Sequence, residues 1–451
     1  MAGPIIILGA GLAGLSCALH LHSAARVFER RDEVGGVAHT DVHAGFHFDC
    51  TGHWLHFRDP AMRAWLLDFL PAGALAQVER RAAIYMHGQR TPYPFQAHTH
   101  GLPPQLIADC LLGYFRARQA ASVGRLPLAT DFEAHIRAQL GDGIAEHFML
   151  PYNQKLYTLP PREMDADCCG RFVPIPTPEE VVYGALMPGG TGRAVGYNPV
   201  FEYPREGGIG SVARALAAAC PHEIALNSEV SRIDWRRRRL QLAGGGVADY
   251  GALVSTLPLP DLVARMAAVP AAIAAAARQL RAVSVTYWNL GLGRPNRPDD
   301  PHWMYFPGPE VPFYRAGSAT AAMPSLAPPG CSSFYVESSH RRGTPPSTDA
   351  EAVLAGLRRV GLLDKDEVPQ LIRQHTIDCA YVLMDAAYAA ARRRVLLWLE
   401  EVGIASIGRY GAWTYDSMEG ALVAGRAAAE QLQAPALRAR RQAAPGAAGL
   451  D

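Results

Sequence analysis

The stretch PHWMYFPGPEVPFYRAG, residues 301–317, sets Trp303, Tyr305, Phe306, Phe313 and Tyr314 around Arg315 and contains no nucleophile and no obvious base. An arginine fork grips phosphate through parallel hydrogen bonds, and a tyrosine hydroxyl donates from a rigid ring without adding charge. These are the parts of a diphosphate cradle, and its covalent chemistry must then come from a cofactor. A buried aromatic core beside a surface arginine is the plainer alternative for the same residues.

A second chemical signal stands at the start of the chain. PIIILGAGLAGLSCALHLHSAARVFER reads as a buried strand, a glycine turn, a helix with an apolar face and a second strand, the order of a βαβ unit. Gly9 permits the tight turn, Gly11 lets a pyrophosphate approach the backbone, and Gly14 allows helix and strand to pack closely. The helix N-terminus favours the phosphate charge, and Glu29, ending the second strand, is placed to accept a ribose hydroxyl bond. An ordinary glycine turn remains the competing reading of the motif taken alone.

The elements that must position these groups need a large chain. With 451 residues and 49% apolar composition it has room for two or three domains. A net charge of +1, from 43 basic and 42 acidic residues, gives no long-range field for nucleic acid or an anionic membrane, so any anion must be caught by local arginines. The RRRR run at 236–239 accordingly reads as a solvated face. The eight cysteines show no CxxC pair and no Cys/His metal spacing, so reduced structural thiols and no metal are expected. With no signal-peptide pattern and no uncharged run of about 18 residues, a cytoplasmic location and no transmembrane segment are expected.

The segment ERRDEVGGVAHT carries a second glycine pair, Gly35 and Gly36, and resembles the extended signature of FAD proteins of the amine oxidase and protoporphyrinogen oxidase-like superfamily. The resemblance continues through REGGIGSVARALAAA, through NSEVSRIDW with Val230 at the adenine, and through GIASIGRYGAWTYDSMEGALVAGRAAAEQL near the C-terminus. It implies an α/β fold: a Rossmann-type FAD-binding domain assembled from three chain segments (1–60, 203–265 and 400–432), a mainly helical insertion with a nucleotide-binding loop (61–202), a sheet-containing substrate domain (266–399) and a disordered tail (433–451). Cofactor contacts are expected from Gly9, Gly11, Gly14, Glu29, Arg30, Gly35, Gly36, Gly52, Val230, Gly408, Arg409 and Met418.

Within that superfamily the chain resembles the UDP-galactopyranose mutases, especially the eukaryotic-type branch. TPYPFQ matches the uridine-binding loop and implies base contacts from Tyr93, Phe95 and Gln96; FMLPYNQKLYTLPPREM implies Asn153 and Tyr157 in the nucleotide pocket. CCGRFVPIP and PFYR supply two catalytic arginines, Arg171 and Arg315, and GYNPVFEYPREGG puts Asn198 against substrate. Tyr305, Tyr381 and Tyr415 fall at the family's diphosphate tyrosines, and CTGHWLHF places Gly52 and His53 in the mobile loop beside the flavin. The implied reaction is redox-neutral isomerisation of a UDP-hexose such as UDP-galactose between pyranose and furanose forms, with N5 of reduced FAD as nucleophile. Electrons would come from NAD(P)H or an external reductase, and the partner is a small nucleotide sugar. Two departures stand out: Val382 follows Tyr381 where the mutases commonly have proline, and Ala97 and His98 replace a pair of asparagines. An FAD-dependent oxidoreductase of the protoporphyrinogen oxidase or amine oxidase type is the alternative.

Overall fold

A computed structural model describes residues 3–124, 129–168, 173–190 and 199–443. Its five-stranded sheet runs in the order Ile404–Ser406, Ala252–Ser255, Ile5–Leu8, Ala25–Phe28, Glu223–Ala225, with every pairing parallel. The central strand IIIL is buried along its whole length, because a parallel sheet is covered on both faces and takes apolar residues in an unbroken run. Strands from three distant chain segments therefore complete one cofactor sheet. The helix Leu12–His20 connects Ile5–Leu8 to Ala25–Phe28 and packs on the closing helix, Met418–Ala443. There Ser16 Oγ donates to Leu422 O at 2.6 Å, and a Cβ on Gly425 would meet Ala13 O at 2.4 Å, so only glycine lets the helices lie this close.

A seven-stranded sheet faces it, ordered Leu371–Val382, Ala282–Leu292, Ser332–Arg341, Arg315–Gly317, Trp303–Tyr305, Ala82–Met86, Gln89–Pro92. Its second strand, AVSVTYWNLGL, is buried throughout and pairs antiparallel on both sides. The last two strands come from within the segment 61–202, expected to be mainly helical. Ala82–Met86 and Gln89–Pro92 form a hairpin whose two-residue loop, His87 and Gly88, has φ of 50° and 74°. Two consecutive left-handed residues suit the right-handed twist of a hairpin, and the histidine in the first position disguises the usual Asn-Gly signal.

The rest of that segment is mostly helical: Pro104–Ser122, Phe132–Ile144, Leu150–Tyr157 and Pro178–Leu186. Between the second and third of these, Ala145–Met149 forms a π-helical turn, with Leu150 N donating to Ala145 O. Pro151 explains it: proline has no N–H for the carbonyl four residues back and its ring clashes with that carbonyl, so the helix widens by one residue ahead of it. The chain end also differs from expectation. The closing helix continues through Ala443, past the boundary at 433, since the Ala-, Gln- and Arg-rich segment adds good helix formers to a helix already nucleated. Among the described residues the cysteines are free, and no helix is long and apolar enough to cross a membrane.

Candidate active site

One cavity of about 960 Å³ runs between the two sheets, from the glycine turn after the first strand to the far hairpin of the seven-stranded sheet. Its two ends are built differently.

At the first end the backbone does most of the work. Gly9 holds φ +98°, and a Cβ there would lie 2.2 Å from Thr256 Oγ1. Gly11 is the opposite case: its nearest neighbours to a Cβ are Gly35 O at 3.9 Å and Gly36 Cα at 4.0 Å, so the space above it is open cavity. Gly35 N donates to Ala10 O at 2.8 Å, which clips the second glycine pair onto the first turn. The helix starting at Leu12 has no side-chain cap, so its first amides stay available. Glu29 is buried and accepts from Ala10 N at 2.8 Å and Arg31 N at 2.9 Å. Arg30, Val230, Gly36 and Met418 line the same end. Gly14 lies behind the turn, where a Cβ would strike Gly9 O at 1.9 Å.

In the middle, the strand Phe46–Asp49 leads into Thr51, Gly52 and His53. Asp49 anchors this loop: its buried carboxylate accepts from Thr40 Oγ1 at 2.6 Å, from Ile209 N at 3.1 Å and from the Tyr203 hydroxyl. Burial raises its pKa to about 6 against those bonds. Thr51 is buried at φ 66°, a rare conformation for a β-branched residue. A Cβ on Gly52 would meet Tyr335 Oη at 2.7 Å. His53 is pushed down to about 4 by burial and then by the positive fields of Arg409 and Arg315, so at neutral pH it is an uncharged hydrogen-bonding group. Opposite it, Arg409 donates to Asp416 O and Ala380 O, both at 2.9 Å, while its buried Nε finds no partner among the described residues. Gly408, at φ 74°, precedes it.

At the far end side chains dominate. Arg315 and Glu337 form a two-point pair at 2.9 and 2.7 Å, and the Tyr314 hydroxyl donates to the same carboxylate. Burial on its own would lower the Arg315 pKa, but Glu337, Tyr381 and Tyr314 override it and hold the group cationic. Its Nη2 reaches Tyr381 Oη at 3.5 Å; Nη1 makes no hydrogen bond among the described residues, and Arg315 lines the cavity. Arg80 donates to Tyr305 Oη at 2.8 Å and lies 4.6 Å over the rings of both Tyr93 and Trp303. Tyr381 stacks on Tyr415, with Arg409 over both rings. Burial raises the Tyr93 phenol to about 12, so it remains a donor.

Fixing of the helical wall follows from the π turn. Phe148, Tyr152, Asn153 and Tyr157 all reach the cavity from that one rod. Asn153 Nδ2 donates to Met149 O at 2.7 Å, and Gln96 Nε2 to Pro174 O at 2.6 Å, which leaves each amide oxygen for a ligand. Phe95 is a correction: it is fully buried behind the wall, stacked 5.1 Å from Phe148. Phe148 takes the cavity-facing place expected of it. Arg171 and Asn198 lie outside the described residues. Sequence reasoning missed Arg80, Phe148, Tyr152 and Glu337. Of these, Glu337 was findable as a lone acid in the apolar strand SSFYVESSHR, since a buried carboxylate must have a partner.

A group of Glu33, His39 and Asp41 has ligand atoms within 4.8 Å of one another. Arg31 pairs with Glu33 and stands 3.3 Å from His39 Nδ1, so a fixed positive charge already occupies that cluster.

Comparison with known proteins fits this geometry. The family model described as flavin containing amine oxidoreductase matches residues 12–433. The chain belongs to that family. In this member of a flavin-containing family the open space over Gly11, the uncapped helix start and Glu29 could hold the dinucleotide part of FAD, and the region between His53, Gly408 and Arg409 has room for its ring system. A crystal structure of reduced UDP-galactopyranose mutase superposes with TM-score 0.88 at 24% identity, over 99% of this chain and 97% of that one. A provisionally named protoporphyrinogen oxidase from Exiguobacterium sp. 255-15 superposes at TM-score 0.70 and 18% identity, over 96% and 99%. At such identities the likeness shows the fold. By sequence, "Probable polyamine oxidase 4" of Arabidopsis thaliana is 31% identical over 107 residues, 23% of this chain and 22% of that protein. The chain thus matches about a fifth of that curated relative's length.

Proposed function

We propose that the protein is a flavin-dependent mutase that interconverts pyranose and furanose forms of a UDP-hexose such as UDP-galactose. The observation that carries this reading is the charge and hydroxyl pattern of the far end of the cavity. Arg80, Arg315 and Arg409 converge there with Tyr93, Tyr305, Tyr381 and Tyr415, and the carboxylate among them, Glu337, is already neutralised by Arg315. Such a surface favours a doubly charged diphosphate and disfavours a polycationic amine.

Chemically, the side chains bind and orient; none is a nucleophile. Reduced FAD supplies the electron pair at N5 that the cavity's own residues lack. Arg315 holds negative charge on the departing diphosphate through Nη1, with Glu337 keeping its fork in place so that no reorganisation is needed. Tyr305 is presented by Arg80, and Tyr381 by its stack on Tyr415, so both hydroxyls donate from fixed rings. Neutral His53, on the cavity wall, could share a proton with a bound flavin or sugar without adding a charge that would repel a cationic sugar carbon. Phe148 and Tyr152 offer the flat surface for the base, with the amide oxygens of Gln96 and Asn153 as acceptors at its edge. Arg171 and Asn198 are kept as further substrate contacts on the strength of the sequence resemblance.

An oxidase reading is favoured by the family description and by the local polyamine oxidase match. One experiment separates the two. Protein reduced with dithionite under anaerobic conditions is incubated with UDP-galactose and other UDP-hexoses, and ring-contracted product is sought by chromatography. Conversion that requires reduced flavin supports the mutase; oxygen consumption with a polyamine or porphyrinogen, without isomerisation, overturns it. Whether NADPH or a separate reductase supplies the electrons is read from flavin bleaching on adding the nicotinamide alone.

A further inference from the structure

Two of the 43 basic residues are lysines, Lys155 and Lys365. Lys155 sits on the cavity helix Leu150–Tyr157 and is half-buried: its Nζ donates to Gly308 O at 2.7 Å and to Phe306 O at 3.2 Å. Both carbonyls belong to the loop joining Trp303–Tyr305 to Arg315–Gly317, which Phe306 N closes by donating to Tyr314 O at 3.0 Å. One ammonium therefore spans from the helix bearing Tyr152, Asn153 and Tyr157 to the hairpin bearing Tyr305 and Arg315. Burial lowers its pKa to about 8, and the Glu310 carboxylate of the same loop works in the other direction.

We propose that Lys155 is a positioning residue that clamps the hairpin to the helical wall and so fixes the gap into which the diphosphate fits. The identity of that ligand rests on the functional reading above; the clamp itself does not. A compact ammonium can direct separate donors at two loop carbonyls, whereas a planar guanidinium on a longer reach would push the loop outward. This explains a lysine at this point in a chain that uses arginine for all but two of its basic residues.

The test uses the flavin-loaded protein and its Lys155→Met and Lys155→Arg variants. Amide hydrogen exchange in peptides covering 303–317 should speed up about tenfold in Lys155→Met, as loss of a charged hydrogen bond implies, while residues 9–14 and flavin content stay unchanged. UDP should bind about tenfold more weakly, and Lys155→Arg should restore neither. Unchanged exchange in the hairpin, acceleration spread evenly over the chain, or full rescue by arginine would each overturn the clamp. Failure of UDP to bind the unmodified protein would instead refute the nucleotide reading, with hairpin exchange still deciding the role of Lys155. If Lys155→Met does not fold, ¹⁵N-lysine labelling of the unmodified protein gives two ammonium signals, assigned with Lys365→Arg; the Lys155 signal should be protected from solvent exchange, and rapid exchange would sink the proposal.

Discussion

The two ends of the cavity solve the problem of holding a phosphate in opposite ways. At the glycine turn the binding surface is backbone: an open space over Gly11, free amides at a helix start and one carboxylate, Glu29, bonded to that same turn. At the hairpin end it is side chains: Arg80 and Tyr93 beside the hairpin 82–92, others from segments 303–317, 332–341 and 371–382 and from the helix 150–157, most of them held by another side chain. A backbone site depends on conformation and tolerates no added atoms. A side-chain site depends on pairs, and a single truncation leaves a buried partner stranded.

The sharpest way to break this contrast is to strand a charge. Arg315→Met leaves Glu337 buried without its cation, and stability should fall by about 3–5 kcal/mol, measured by denaturant unfolding. Adding Glu337→Met should recover most of that stability while substrate binding stays lost; recovery of binding as well would show that the pair acts only as a structural prop. Next in size is Gly11→Val. A Cβ at this position has open cavity above it, so the apoprotein should melt as before, whereas flavin affinity should drop by about 3 kcal/mol, roughly a hundredfold, seen as lost visible absorbance. Full flavin occupancy would disprove the assignment of that space. Tyr305→Phe should be mildest among the substitutions, about 1 kcal/mol in kcat/KM and less than any loss at Arg315. Equal losses in the two variants would erase the distinction between charged and neutral donors.

Acidification sharpens the comparison from another side. His53, His56 and His302 are each lowered to about 4, chiefly by burial. Between pH 6.5 and 4 the unfolded chain takes up protons on these histidines while the folded one does not, so their contribution to stability declines as pH falls through that window. Asp49, raised to about 6 by burial, works in the opposite sense over the same range and offsets part of the loss. The melting temperature should therefore drift downward from pH 6.5 to 4, and His302→Asn should flatten the slope.

The glycine end was readable in the sequence because all its parts lie within a few dozen residues and each has a local reason: Gly9 for its φ, Gly11 for the space above it, Glu29 for its strand end. The hairpin end was readable only through family resemblance. Nothing in ERRAA distinguishes Arg80, which meets Tyr305, from Arg81, which goes to His302 and loop carbonyls instead. Phe95 was misjudged for a related reason: in TPYPFQ three neighbouring residues look equally suited to a base, and the turn Phe95–Ala97 rotates Phe95 into the core while Tyr93 and Gln96 keep the cavity. Phe148 and Tyr152 repeat at helical spacing, but Pro151 hides that they share one continuous rod.

The cofactor sheet takes its last strand from residues 404–406, and the turn at Gly408 and Arg409 follows directly. During synthesis, then, the glycine turn emerges long before residues 404–409, the neighbours it needs. Flavin capture for this reason waits on that late segment, and a product cut short ahead of Ile404 should leave the ribosome colourless however well its first βαβ unit has formed.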